Sequence, residues 1–336
     1  METLCQSESV WSPLVDRFGR THTYLRVSLT DRCNFRCTYC MPKRGIEWMP
    51  SKSLLGDDEV VRLASVFARL GVTKIRLTGG EPAIRKGFVE LVGRIKAIPG
   101  VEKLLMTTNG TALRANAERL HRAGLDGLNI SIDSLQPERF KTITHRDVLS
   151  EVLAGIEAAL EAGIPVKLNV VVMPGVNDDE LLDFVELTRS KPITVRFIEF
   201  MPFSGNEWKA DKVFGYREMR SVIEAKYALL QRDGEPSEVA KEFRIEGFKG
   251  TVGFITSMTE DFCSDCNRVR LTADGRLKTC LFLAPKNSLR DMARTGSCDE
   301  EIAAAIHSGL QTKWAGHPPM GAWKQYDNLS MVQIGG

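Results

Sequence analysis

Tyr24-Leu25-Arg26-Val27-Ser28-Leu29, followed at once by Thr30-Asp31-Arg32-Cys33-Asn34-Phe35-Arg36-Cys37-Thr38-Tyr39-Cys40, is the stretch on which the reading of this chain turns. Its first half alternates polar and apolar side chains with a period of two, the pattern of a half-buried strand. Its second half sets three cysteines in the spacing C-x3-C-x2-C. Cysteine thiolates hold [4Fe–4S] clusters, about one thiolate per iron. A close triplet with no fourth Cys nearby leaves one iron open to another ligand. The cysteines follow the strand directly, where βα barrels build their sites.

From Tyr24 to about Met201 short apolar runs alternate with helical patterns, each helix ending near a glycine. Strands are expected at 25–29, 74–78, 103–107, 127–132, 166–172 and 194–200. Helices are expected at 57–70, 87–98, 113–123, a short one at 137–142 extended by 151–162, then 179–190 and 216–227. Six βα repeats imply a parallel sheet. Such crossovers wind into an open sheet or a barrel, and six of them would make a partial version of the eight-stranded barrel. The expected fold is therefore α/β, a partial (β/α)6 TIM-type barrel with a C-terminal α+β extension. The expected division is a leader at 1–20, the barrel at 21–230, and a C-terminal region at 231–336 that begins in the linker-like Gln231-Arg232-Asp233-Gly234-Glu235-Pro236-Ser237-Glu238. That region carries a hairpin, 268–272 with 277–281 around Ala273-Asp274-Gly275, two short helices, and a non-helical tail.

Alternate strand residues point to opposite faces. Val27, Leu29, Ile75, Leu77, Leu128, Ile130, Val166, Leu168, Val195 and Phe197 make the face beneath the helices. Arg26, Ser28, Arg76, Thr78, Asn129, Ser131, Asp133, Lys167, Asn169 and Arg196 make the other. Bulky branched side chains normally fill a barrel, and unpaired charge is costly to bury. A polar, basic interior therefore predicts a wide cavity for polar ligands with negative charge; polar residues at strand ends in solvent are the competing account.

Composition narrows the classes. The chain has 336 residues, 43% hydrophobic, enough for a substantial core. Lys+Arg 45 against Asp+Glu 43 leaves a net charge of +2, too balanced for a protein that coats nucleic acid or a membrane. No apolar run is long enough to span a bilayer, and the first residues carry no apolar core behind a basic segment, so a cytosolic location is expected. Of the eight cysteines, six form two triplets, a pattern of metal chemistry more than of disulfides. Cys5 and Cys298 stand apart and are expected to be free thiols.

The second triplet, Cys263, Cys266 and Cys280, reads C-x2-C-x13-C, again with three thiolates and no obvious fourth. A zinc site completed by His307 or His317 is the alternative, since Cys3His zinc sites are common. Arg268 and Arg270 lie between these cysteines and share a strand face. Guanidinium groups suit phosphate recognition. No G-x4-G-K-[ST] loop, H-E-x-x-H or G-x-S-x-G is present, which argues against a nucleotide switch or a metallo- or serine hydrolase.

The first triplet, with Tyr39 between its last two cysteines, resembles the signature of the radical S-adenosylmethionine superfamily. Thr78-Gly79-Gly80-Glu81-Pro82 resembles that superfamily's GGEP turn, in which glycines permit close backbone approach and Glu81 places charge near the methionyl ammonium. Both triplets, the strand Tyr24 to Ser28, Thr107-Thr108-Asn109-Gly110 and the terminal Gly335-Gly336 together resemble the GTP 3′,8-cyclase family of molybdenum-cofactor biosynthesis, over nearly the whole chain. Ala83 departs from the bulkier residue usual after the turn.

The resemblance implies two [4Fe–4S] clusters, on Cys33, Cys37 and Cys40 and on Cys263, Cys266 and Cys280. It implies S-adenosylmethionine on Tyr39, Gly80, Ser131 and Met201, and GTP on Arg26, Arg76, Thr107, Lys167, Arg268 and Arg270, the last two also catalytic. It further implies a tail reaching the active site, a homodimer, an electron donor, and a downstream cyclic pyranopterin monophosphate synthase. An ordinary core role for Met201 and a frayed end for Gly335-Gly336 are the plain alternatives. A peptide-modifying radical enzyme with auxiliary clusters is the runner-up, though it gives Arg268 and Arg270 no phosphate to bind.

Overall fold

A computed structural model describes residues 10–42, 45–234, 238–260, 262–317 and 329–335; Cys5 and Gly336 lie outside them. The first elements run β1 (Tyr24–Ser28), α1 (Asp57–Arg69), β2 (Lys74–Thr78), α2 (Phe88–Lys96), β3 (Lys103–Thr108), α3 (Leu113–Arg122), β4 (Gly127–Ser131), α4 (Pro137–Thr144), α5 (Leu149–Glu161), β5 (Val166–Val172), α6 (Leu181–Ser190) and β6 (Thr194–Glu199). Local chemistry sets these bounds. The α1 helix opens on Asp57, Asp58 and Glu59 and closes on Arg69, charges that complement its dipole. Glu59 Oε2 accepts from Gly56 N at 2.7 Å, and Gly71, at φ +90°, turns the chain toward β2.

The expected extended helix over 137–162 is two helices. His145 takes a left-handed conformation (φ 55°) with its N–H on Lys141 O, and ends α4.

The C-terminal part supplies α7 (Tyr216–Glu224), β7 (Leu230–Gln231), β8 (Ala240–Arg244), β9 (Thr251–Ile255), β10 (Arg268–Leu271), β11 (Arg276–Lys278), β12 (Lys286–Ser288), α8 (Leu289–Arg294), α9 (Asp299–Leu310) and α10 (Met331–Ile334). The linker-like stretch thus begins inside β7, and its residues 235–237 lie outside those described. All strands join one sheet, β12-β11-β10-β1-β2-β3-β4-β5-β6-β9-β8-β7. β1 to β6 pair in parallel in chain order; β10 adds a parallel strand beside β1 and β9 another beside β6. The C-terminal extension therefore flanks the six βα strands on both sides. The β10–β11 turn is the expected hairpin, with Arg276 N donating to Thr272 Oγ1 at 2.9 Å and Gly275 at φ +75°.

Two expectations are corrected. The tail is helical for one turn, because Gln333 Oε1 accepts from both Ser330 Oγ and Ser330 N and caps it. Cys298, expected to be a free thiol, is disulfide-bonded.

Val27, Leu77, Leu104, Leu168 and Val195 are fully buried between sheet and helices, at no more than 1% exposure. Each contributes about 1.5–3 kcal/mol of burial. This layer leaves the opposite strand face turned inward. Among the described residues no helix is long and apolar enough to cross a membrane.

Candidate active site

Inside the curve of the sheet lies a cavity of about 890 Å³. Arg26, Arg76, Thr107, Lys167, Arg268, Arg270, Tyr39, Gly80, Ser131, Met201 and all six triplet cysteines line it. Register explains the grouping: Arg26 lies beside Arg76 on β2 and beside Arg270 on β10, and Asn169 lies between Ser131 and Arg196.

The first triplet sits in the loop after β1. Cys40 N and Met41 N both donate to Cys37 O, a tight turn that brings the last two thiols together, and Arg36 Nη1 holds Cys33 O at 2.6 Å. Burial pushes the Cys33 thiol up to about 11, with the Glu81 charge adding to it, and raises Cys37 and Cys40 well above the usual thiol range. A thiolate here needs a compensating positive core.

Tyr39 Oη donates to Asp133 Oδ2 at 2.8 Å, and Val171 N donates to Asp133 Oδ1 at 2.9 Å. Burial still lifts the Asp133 carboxyl to about 6. The Tyr39–Asp133 bond ties the cysteine loop to the end of β4.

Gly79 and Gly80 serve the cysteine loop. A Cβ on Gly80 would fall 2.2 Å from Arg32 O, and one on Gly79 2.6 Å from Thr30 O. Gly80 N and Glu81 N donate to Thr30 O and Arg32 O, each at 2.8 Å, so turn and loop zip together. Glu81, expected to place its charge near an ammonium, lines the cavity and also braces the turn. Its carboxylate is 1% exposed and accepts from Thr108 Oγ1 (2.7 Å), Asn109 N (2.6 Å) and Ala83 N (3.0 Å), clamping the β2 and β3 loops. Burial, opposed by those three donors, lifts it to about 7.

The basic wall is built from Arg26, Arg76, Arg196 and Arg270. Withdrawal from water, then mutual repulsion, pulls Arg26 down to about 10 and Arg196 and Arg270 to about 9. Guanidiniums crowded in this way favour an anion between them. Two details escape a reading by alternation alone. Arg76 Nε donates to Tyr24 Oη at 2.6 Å, so a tyrosine orients this arginine. Lys167 is ion-paired to Glu242 of β8 at 2.6 Å, a partner distant in the chain. Thr107 Oγ1 and Ser257 Oγ are buried at the wall with no hydrogen-bonding partner among the described residues, and Ser257 was not a sequence candidate.

The second triplet faces the same cavity from the other side. Burial raises the Cys266 thiol, but the charges of Arg268 and Lys313 outweigh it and bring the thiol down to about 7. Cys266 is thus poised as a thiolate donor. Arg20, paired to Asp16, donates to Cys263 O at 2.6 Å and fixes the loop from the N-terminal side.

Each triplet offers three unbridged thiols to one cavity, the donor chemistry of an iron–sulfur cluster with an open iron. Among the described residues no three His, Cys, Asp or Glu side chains converge on a point suited to a single metal ion. His307 is turned away, with Nε2 at 3.1 Å from Val10 O, while His317 lines the cavity against Phe282.

Fold and site define a radical S-adenosylmethionine enzyme, and the Radical SAM superfamily profile matches residues 27–188. A second profile, Molybdenum Cofactor Synthesis C, matches residues 193–319. The chain belongs to the GTP 3′,8-cyclase family. It is 49% identical over 325 residues to the mitochondrial GTP 3′,8-cyclase of Arabidopsis thaliana, covering 96% of this chain and 83% of that protein. Against molybdenum cofactor biosynthesis protein 1 of Drosophila melanogaster it is 49% identical over 308 residues, 91% of this chain and 54% of that one, so it spans about half of that relative. In structure it is similar to Streptococcus suis SuiB bound to S-adenosylmethionine, with a TM-score of 0.57 at 13% identity, covering 88% of this chain and 69% of SuiB, a likeness of fold alone. Membership of the superfamily brings one [4Fe–4S] cluster and S-adenosylmethionine as cofactors.

Proposed function

We propose that this chain converts GTP to (8S)-3′,8-cyclo-7,8-dihydroguanosine 5′-triphosphate, the first step of molybdenum-cofactor biosynthesis. The observation that carries the reading is that two three-thiol sets and a wall of guanidiniums line one cavity of about 890 Å³. In this reading Cys33, Cys37 and Cys40 hold the first cluster, and Tyr39, Gly80, Ser131 and Met201 hold S-adenosylmethionine. Cys263, Cys266 and Cys280 hold a second [4Fe–4S] cluster that presents its open iron to GTP. The first cluster with S-adenosylmethionine, when bound, would supply a 5′-deoxyadenosyl radical able to take hydrogen from ribose C3′; C3′ then joins guanine C8, and one electron from the reductant with one proton completes the 7,8-dihydro product.

The chain's own residues do the rest. Arg26, Arg76, Lys167, Arg268 and Arg270 neutralise the triphosphate and orient it by charge-assisted, forked hydrogen bonds. Arg268 and Arg270 lie two residues apart on β10, next to the second triplet, and are assigned contact with the reacting substrate. Thr107, with its buried and unpartnered hydroxyl, gains a partner when substrate is present. The α10 tail covers the first triplet: Val332 N lies against Cys40, and Gly335 packs on Ser28. That cover keeps water from a reactive site.

The division into a leader at 1–20, a barrel at 21–230 and a cluster and substrate region at 231–336 belongs to the same reading. So do a homodimer, an unidentified electron donor, a downstream cyclic pyranopterin monophosphate synthase and a cytoplasmic location. Anaerobic incubation of the reconstituted chain with S-adenosylmethionine, a reductant and GTP tests the activity. A product isomeric with GTP supports it, and 5′-deoxyadenosine formed without any change in GTP counts against it.

A further inference from the structure

Lys313 is a lysine with only 2% of its surface exposed. Its Nζ lies 3.3 Å from Cys266 Sγ, 3.4 Å from Cys266 O and 2.7 Å from Arg268 O. Among the described residues no carboxylate pairs with it. Burying an ammonium costs several kcal/mol unless an anion or full hydrogen bonding offsets the loss of water. Two carbonyls offset part of that cost. The remaining contact is a sulfur, which offsets the charge only as a thiolate.

The placement is held from two sides. Lys313 N and Thr312 N continue the turns of α9 by donating to Leu310 O and Gly309 O. Arg20 donates to Trp314 O at 2.6 Å and Ala315 O at 2.8 Å, and the same guanidinium holds Cys263 O. One N-terminal arginine therefore locks the lysine segment and the cysteine loop in a common frame. No pairing by sequence proximity is involved, since Cys266 and Lys313 lie 47 residues apart.

Hydrogen bonds to cluster sulfurs and nearby positive charge stabilise the reduced, more negative form of a cluster, and outer partners orient its ligands. We propose that Lys313 is a positioning and tuning residue of the Cys263, Cys266 and Cys280 centre, whose charged N–H···S bond to Cys266 raises the reduction potential of the cluster held there. The inference rests on the reading of this triplet as a cluster site. A plain structural role, the satisfaction of two carbonyls, needs no positive charge and leaves the potential unmoved.

The test compares the full-length, anaerobically reconstituted chain with Lys313→Met, which removes charge and donor, and Lys313→Gln, which keeps a donor without the charge. Iron and sulfide are counted, and each cluster is followed by electron paramagnetic resonance during a redox titration, with the second signal assigned by its loss in Cys280→Ser. About eight irons per chain are expected in all but the Cys280 variant, two clusters of four. At a fixed potential the reduced-to-oxidised ratio of the second cluster falls about tenfold in Lys313→Met, 59 mV for one electron, and less in Lys313→Gln. The first cluster does not move.

An unchanged ratio in Lys313→Met at full iron, or an equal shift in both clusters, overturns the inference. If Lys313→Met loses the second cluster, Lys313→Gln decides, because an unchanged ratio there overturns the inference equally. A wild-type chain with only about four irons overturns the two-cluster reading itself.

Discussion

Replacing Gly335 by alanine tests how the tail closes the site. Gly335 sits at φ +86°, where a residue with a Cβ is strained by about 1–2 kcal/mol. The added methyl would fall 2.6 Å from Ser28 Cβ, 2.9 Å from Ser28 Oγ and 3.1 Å from Thr78 Oγ1, on rigid strand ends. Overpacking of this kind costs about 1–3 kcal/mol more. The docked tail gains from burying Val332 (2% exposed) and Ile334 (1%), about 1.5–3 kcal/mol each. A penalty of about 2–5 kcal/mol thus cancels much of the docking, and the undocked population rises roughly thirtyfold to several-thousandfold. Hydrogen exchange read by mass spectrometry checks it. Gly335→Ala should lose protection in the peptide spanning Ser330 to Gly335, keep protection in β1 and β2, keep its iron and lose turnover. Unchanged protection in the tail, or an equal loss throughout the sheet, would refute the reasoning.

Burial, with the nearby Lys313 charge adding to it, holds the His22 ring down to about 4 against an ordinary 6.5. The unfolded chain therefore takes up this proton first as pH falls, and stability present above about 6.5 drains away toward 4. Between pH 7 and pH 5 the loss is about 2 kcal/mol, so His22→Leu should narrow the gap between urea midpoints at the two pH values, and an unchanged gap contradicts the assignment. Glu81→Gln sets an amide N–H₂ against one of three donors, which should lower stability by about 1–3 kcal/mol; urea unfolding with an unaltered midpoint would show that the clamp is dispensable. Arg268→Ala and Arg270→Ala should each weaken GTP binding by about 1.5–3 kcal/mol, roughly tenfold to a hundredfold, with iron content intact. Calorimetry showing wild-type affinity in both variants would remove them from the triphosphate site.

The inward wall was legible because strand alternation is a local property. Arg26, Arg76, Lys167 and Arg196 could be put on one face from period two alone, and the parallel register sets Arg26 beside Arg76. β9 was not legible: Thr251-Val252-Gly253-Phe254-Ile255 is short and broken by a glycine. That glycine lies opposite Arg196, and a Cβ on it would press on Arg196 Cγ at 3.2 Å. The break at His145 was hidden because a non-glycine residue in a left-handed conformation leaves no mark of its own. The α10 turn is too short to show a period, and its Ser330–Gln333 cap is recognisable only in hindsight. The motif singles out Glu81 but carries no sign of the three donors that brace it. Lys313, Glu242 and Ser257 reach the site by long-range packing, for which one sequence carries no local signal.

The central claim is tested most directly by incubating the reconstituted chain, without oxygen, with S-adenosylmethionine, a reductant and GTP deuterated at C3′, followed by mass spectrometry of the nucleosides. The account predicts deuterium in 5′-deoxyadenosine together with a cyclised product isomeric with GTP. Unlabelled 5′-deoxyadenosine with GTP recovered intact would leave a radical enzyme in place and contradict GTP as its substrate.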